Sequence, residues 1–176
     1  NTIPLQQSAS NILGLDYVEL KPRLKYDIGD NKYGKYVTIA TNSTAGLKFW
    51  TKPSWAKVIN HLHERGYKVI NTSKERNPFE NCYQLEDTSI ENTMSVIHHS
   101  EFFVGLSSGL SWAAFGLGKK VVMISAFTEA DHEFECIRPR NNNVCTNCWN
   151  DPKQRFDAAD YLYCPHHKGT ERMFEC

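Results

Sequence analysis

The run Phe102-Phe103-Val104-Gly105-Leu106-Ser107-Ser108-Gly109-Leu110-Ser111-Trp112-Ala113-Ala114-Phe115-Gly116-Leu117-Gly118 decides the reading of this chain. Its first five residues are apolar, the pattern of a strand buried on both faces, and residues 109–117 then read as a short helix rich in small residues that Gly118 stops. A strand that enters a helix through Ser107, Ser108, Gly109, Leu110 and Ser111 leaves first-turn N–H groups, the positive end of a helix dipole and three hydroxyls around one spot. That is an anion site by construction, and Gly109 lets a phosphate come close to the backbone. Turn chemistry and helix capping alone would also account for these residues.

Outward from this run the chain alternates short apolar strands with amphipathic helices. Residues 36–40 read as the first strand. A helix follows from near Pro53 to Gly66, with Trp55, Val58, Ile59 and Leu62 at i, i+3, i+4 and i+7. Residues 67–71 form the second strand. Thr88-Ser89-Ile90-Glu91 has capping-box spacing and opens a helix with Ile90, Met94 and Ile97 on one side. After the run quoted above, residues 121–124 supply a last apolar strand. This order predicts βαβ units and an α/β, Rossmann-like wound parallel sheet over residues 1–125, preceded by a short helix at residues 6–13 and an irregular lead-in. Ligands of such sheets bind beyond the carboxyl ends of the strands, so residues 41–52 face the same crevice as residues 107–111. There Asn42, Ser43 and Thr44 supply donors and Lys48 a cation, while Glu75, or else Glu80, is placed to accept ribose hydroxyls.

Residues 126–176 lose this periodicity and form a second segment that a metal is expected to organise. Four of the six cysteines, Cys136, Cys145, Cys148 and Cys164, are spaced C-x8-C-x2-C-x15-C. The Cys145-Thr146-Asn147-Cys148 knuckle aims two sulfurs at one point, and a tetrahedral set of four sulfurs selects zinc or iron. Disulfides or free core thiols are the other readings. A mixed site would use His166 if Cys136 proved too far away. Cys82 reads as a buried, unreactive thiol and Cys176 stands apart.

The 176 residues carry 20 basic and 20 acidic side chains and no formal net charge. A neutral, mixed surface lacks the field that neutralises a phosphate backbone, which argues against nucleic acid as a partner. The longest uncharged run, residues 102–118, is too short and too punctuated to span a membrane. Reduced cysteines and a neutral, mixed surface point to the cytoplasm; Asn1 is not a natural start, and an address or a whole domain could precede it.

Lys48-x-Trp50 with Trp55, an amphipathic helix, and then residues 105–112 together resemble the C-terminal, donor-binding lobe of GT-B heptosyltransferases, over most of residues 1–135. In the lipopolysaccharide enzymes the second motif begins with aspartate and ends with histidine; here Ser107 and Trp112 stand in those places. The Ser-Ser-Gly-Leu-Ser-Trp form, the strand Val122-Met123-Ile124-Ser125 followed by Phe127-Thr128, and Cys145-x-x-Cys148-Trp149 are more similar to the bacterial autotransporter heptosyltransferases. The resemblance implies ADP-heptose as donor, serines of autotransporter proteins as acceptor, homo-oligomerisation, and iron on Cys136, Cys145, Cys148 and Cys164, where spacing alone favours zinc. It also implies that the acceptor side and the general base belong to an N-terminal lobe outside this chain, so that the chain is half an enzyme and inactive alone. Lys48 is then the one catalytic residue expected here, stabilising the leaving ADP with Ser107, Ser108, Gly109, Leu110 and Ser111.

Other polar residues invite simpler readings. His98 and His99 suit the end of a helix, Arg138 and Arg140 a solvated turn, and Asp131, His132 and Glu133 a loop that would approach the sugar or face solvent. No Ser-His-Asp set or paired-carboxylate motif is legible. Two alternatives to an enzyme follow: a nucleotide-binding module without catalysis, or an interaction knuckle presenting Trp149, Phe156, Tyr161 and Tyr163 to another subunit.

Overall fold

The computed structural model describes residues 2–76, 79–156 and 162–174. Five strands, β1 (Tyr36–Ala40), β2 (Lys68–Asn71), β3 (Tyr83–Gln84), β4 (Phe103–Leu106) and β5 (Val121–Ile124), form one sheet in the order β3-β2-β1-β4-β5. Every pairing is parallel: Val37 lies opposite Val69, Ile39 opposite Val104 and Val104 opposite Val122. The two-residue β3 was not legible in the sequence, since its Tyr83 and Gln84 lack an apolar run and β3 exists only by pairing with Ile70 and Asn71.

The helices are α1 (Leu5–Leu13), α2 (Lys52–Glu64), α3 (Ile90–His99) and α4 (Gly109–Gly116). Helix α2 starts on Thr51, whose hydroxyl accepts from the Ser54 N–H at 3.3 Å, and Pro53 sits in its first turn, where a missing N–H costs nothing. Its Trp55, Ile59 and Leu62 pack with Val37, Ile39, Val69, Val104 and Leu106 into the core on one face of the sheet. On the other face, Ile97 and Ala114 meet Ala40, Phe103, Val121 and Met123. Two local expectations shift. The N-cap of α3 is Ser89, accepting from the Asn92 N–H, rather than Thr88, and Ile90 is exposed, so the buried stripe of α3 is Thr93, Met94, Val96 and Ile97.

The lead-in between α1 and β1 is held by side chains rather than by a ladder. Tyr26 Oη meets His98 Nδ1 at 2.5 Å and His99 Nε2 meets the Gly29 carbonyl at 3.0 Å, so the paired histidines anchor this segment as well as closing α3. Leu24 then lies on α4 at Gly116, where an added Cβ would come within 3.0 Å of it. Beyond β5 the chain turns back along the outer edge of the sheet: Met123 donates to the Ile137 carbonyl at 2.8 Å and Ile137 to that of Val121 at 3.0 Å. Arg138 does not merely solvate a turn. Its guanidinium, half-buried, donates to the carbonyls of Ser125, Thr128 and Glu129 and shapes the loop after β5.

Candidate functional site

Because β1 and β4 are neighbours whose following helices pack on opposite faces, the loops after them diverge and leave a crevice at the switch point of the sheet. A cavity of about 780 Å³ occupies it. The loop after β1 contributes Ser43, Thr44 and Lys48, the turn after β4 contributes Ser107, Ser108, Gly109 and Leu110, and exposed Glu75 stands at the β2 end. The sequence reading therefore brought together residues 59 positions apart in the chain. Glu80 does not line this cavity.

Local bonding decides which groups are available there. Ser111 is not. It is fully buried, its hydroxyl donates back to the Leu106 carbonyl at 2.5 Å, and it is absent from the cavity wall, because one turn into α4 its side chain points toward Gly105. Ser107 is also engaged, its hydroxyl donating to Glu133 Oε1 and its carbonyl accepting from Lys48 Nζ at 3.1 Å. Ser108 is the opposite case. It occupies the N-cap position of α4 without capping it, and its buried hydroxyl has no hydrogen-bond partner. The Ser111 and Trp112 N–H groups close on the Ser108 carbonyl, whereas those of Gly109 and Leu110 precede any intrahelical acceptor. An added Cβ at Gly109 would meet no protein atom within 4 Å, so the space over this glycine is open.

Lys48 lies where the cation is needed. It ends a short 3-10 turn, Gly46–Lys48, which Leu47 anchors through its N–H to the Leu162 carbonyl at 3.1 Å. The ammonium lies 5.5 Å from the centre of the Phe127 ring. Burial pulls its pKa below the usual lysine value, and the charge of Glu133 opposes that shift. The loop that carries it is braced from below: Ser73 Oγ accepts the N–H groups of Thr41 at 2.8 Å and Asn42 at 3.2 Å, and Gln84 Nε2 donates to the Ser73 carbonyl at 2.8 Å.

Glu133 is what sequence reasoning undervalued. Of Asp131, His132 and Glu133, the first is exposed, while the other two are buried and line the cavity. Glu133 accepts from Ser107 Oγ, from Thr128 Oγ1 at 3.3 Å and from Trp112 Nε1 at 3.0 Å. Trp112 is held for this contact by Phe134, 4.8 Å away in an edge-to-face arrangement. The available signal was the indole at position 112, since a Trp N–H packed at a sheet edge usually finds an acceptor.

The cysteines separate into two groups. Cys148 and Cys164 are buried in one cluster with Leu47, Phe127 and Met173. Burial, and then the neighbouring Cys145 and Cys164 thiols, push Cys148 up to about 11. Asn147, in the left-handed region with φ 63°, makes the turn of the knuckle, and the N–H groups of Asn147 and Trp149 bond the Ala126 and Phe127 carbonyls at 2.6 and 3.1 Å. Cys136 precedes Ile137, which is fixed to the edge of β5, and packs against the cluster of Ala40, Phe103 and Met123. Among the described residues no group of three or more His, Cys, Asp or Glu side chains is drawn together tightly enough to hold a metal. His166 is exposed, and Tyr161 and Cys176 lie outside the described residues.

The sequence profile of glycosyltransferase family 9 (heptosyltransferase) matches residues 7–161, which include β1 to β5 and the cavity residues from Asn42 to Trp149. The chain belongs to this family. Among curated relatives, this family 9 chain is 36% identical to the autotransporter heptosyltransferase BAHTCr of Citrobacter rodentium, over 99% of the chain and 46% of the relative. It is 34% identical, over 97% of its length and 43% of the relative, to BimC of Burkholderia thailandensis, described as an inactive autotransporter heptosyltransferase. The crystal structure of TibC, a dodecameric iron-containing heptosyltransferase, in complex with ADP-D-beta-D-heptose superimposes with a TM-score of 0.88 at 34% identity, covering 99% of this chain and 49% of that one. The chain thus spans about half the length of the curated relatives it matches. No described helix is long and apolar enough to cross a membrane.

Proposed function

We propose that this chain is the donor-binding half of a glycosyltransferase that moves heptose from ADP-heptose to hydroxyl groups of an autotransporter-like protein. One observation carries the reading: Ser108, whose buried hydroxyl has no hydrogen-bond partner, Gly109 and Leu110 at the start of α4, and Lys48 line a single cavity at the switch point. Such a set of donors suits a diphosphate. The TibC complex, with ADP-heptose bound in a protein 34% identical to this one, supports the choice of donor.

In this mechanism the bond from the anomeric carbon to the β-phosphate oxygen breaks, its electron pair leaves with ADP, and the acceptor oxygen bonds to the same carbon. Lys48 and the Ser108, Gly109 and Leu110 groups hold the diphosphate and offset the charge that grows on the leaving ADP. Ser107 contributes through its carbonyl, by holding Lys48, and Ser43, Thr44 and Glu75 bind the nucleotide end. The acceptor proton goes to a base outside this chain, in a preceding lobe.

Residues 126–176 act as a metal-organised buttress of the lobe formed by residues 1–125. The ligands in this reading are Cys136, Cys145, Cys148 and Cys164, whose four sulfurs would hold iron, the metal named for TibC, or zinc. The ion would cross-link the knuckle to the following segment. Assembly into a homo-oligomer follows the dodecameric relative.

The second reading is a nucleotide-binding module without catalysis, favoured by the 34% identity to a relative described as inactive. A transfer assay separates the two. With ADP-heptose and an autotransporter fragment, the full-length protein is expected to glycosylate serines and the isolated chain only to bind donor. Tight ADP-heptose binding without transfer by the full-length protein would establish the module instead.

A further inference from the structure

We infer that Glu133 is the sugar-recognising residue of the cavity, accepting a hydroxyl of the transferred sugar; this rests on the donor-site reading above. The argument starts from the asymmetry of the crevice. The strand order β2-β1-β4-β5 sets exposed Glu75, after β2, on one side of Lys48, Ser108 and the α4 N-terminus, and buried Glu133, after β5, on the other. With a diphosphate at the centre, the nucleoside occupies one end and the sugar the other. Glu75 lies on the nucleoside side in the donor-site reading, which leaves the β5 side to the sugar.

The bonding of Glu133 fits that task. An ionised carboxylate offers about four acceptor positions. Three are taken: Oε1 accepts from Ser107 and Thr128, and Oε2 from Trp112 alone. Since Glu133 lines the cavity, the remaining position on Oε2 is open to a donor arriving there. That donor cannot be a phosphate oxygen, which carries charge of the same sign and no proton. It can be a sugar hydroxyl, which would complete the set of four.

The three protein donors also fix the carboxylate in space. Trp112 is wedged against Phe134, and Thr128 is clamped through its carbonyl and hydroxyl by Arg138, both at 3.0 Å. A carboxylate oriented in advance discriminates between ligands that offer a hydroxyl at that point and ligands that do not.

The test measures dissociation constants of ADP and of ADP-heptose by calorimetry for the full-length protein and its Glu133→Gln and Glu133→Asp variants. The first variant removes the charge, and the second withdraws the carboxylate by one methylene. In the wild type ADP-heptose is expected to bind more tightly than ADP, and in either folded variant that ratio should fall roughly 10- to 100-fold, the loss of one charge-assisted hydrogen bond. A purely structural Glu133 would weaken both ligands together and leave the ratio unchanged, which would overturn the inference. Wild-type protein that binds neither ligand would overturn the donor-site reading itself, and the inference with it.

Discussion

Lys48 Nζ donates to the Ser107 carbonyl at 3.1 Å, tying the loop after β1 to the turn after β4 across the switch point of the sheet. The lysine is therefore both a wall of the cavity and a clasp between its two halves. Replacing Lys48 by alanine should weaken ADP about 10- to 100-fold, the range of a hydrogen bond to a charged group. Calorimetry on the variant checks this, and unchanged affinity would place the diphosphate elsewhere.

Gly109 separates ligand effects from folding effects. Its added Cβ would touch nothing in the protein within 4 Å, so Gly109→Val should shift the melting temperature by less than about 2 °C. ADP affinity should nonetheless fall at least about tenfold, because the side chain would project into the space over the α4 N-terminus. Equal affinity in the variant would mean that no phosphate approaches this backbone.

The lowered pKa of Lys48 sets a pH dependence. Burial disfavours the charged ammonium, so in the free protein it loses its proton below the ordinary lysine value of about 10.4. ADP needs the charged form. Affinity should therefore decline as pH rises through that lowered value, and binding in the same range should take up a proton. Calorimetry in buffers of different ionisation enthalpy detects the uptake, and Lys48→Ala should abolish it.

The knuckle and the cavity share Phe127 and Trp149, whose rings lie 5.4 Å apart. Removing metal should loosen both. Elemental analysis is expected to find about one ion per chain in the wild type and little in Cys136→Ser or Cys148→Ser, with ADP affinity reduced in both. Full metal content in Cys136→Ser would take that cysteine out of the ligand set.

The wound sheet was legible because its longer strands are short, mostly apolar runs, buried throughout in β1 and β4, and because α2 repeats its apolar residues with helical spacing. The crevice was legible for a related reason: parallel strands place their following loops at one edge, so Ser43, Thr44, Lys48 and Ser107 to Leu110 could be assigned to one site from chain order alone. Strand β3 was not, since two residues carry no period. Ser111 was misassigned because its hydroxyl had a choice between a ligand and the Leu106 carbonyl, and helix geometry makes that choice.

What the sequence determined by itself is therefore the order of elements, the edge at which they open and the chemistry of the phosphate turn, all of which follow from local periodicity and the residue types at strand ends. Tertiary structure alone decided the partners of the long polar side chains. Glu133 meets Ser107 across 26 positions and Trp112 across 21, Arg138 threads its guanidinium into the loop after β5, and Ile137 pairs with the edge of β5. Such contacts depend on the path of loops without a repeating pattern, and a hydrogen bond between distant side chains leaves no periodic trace in the chain that makes it.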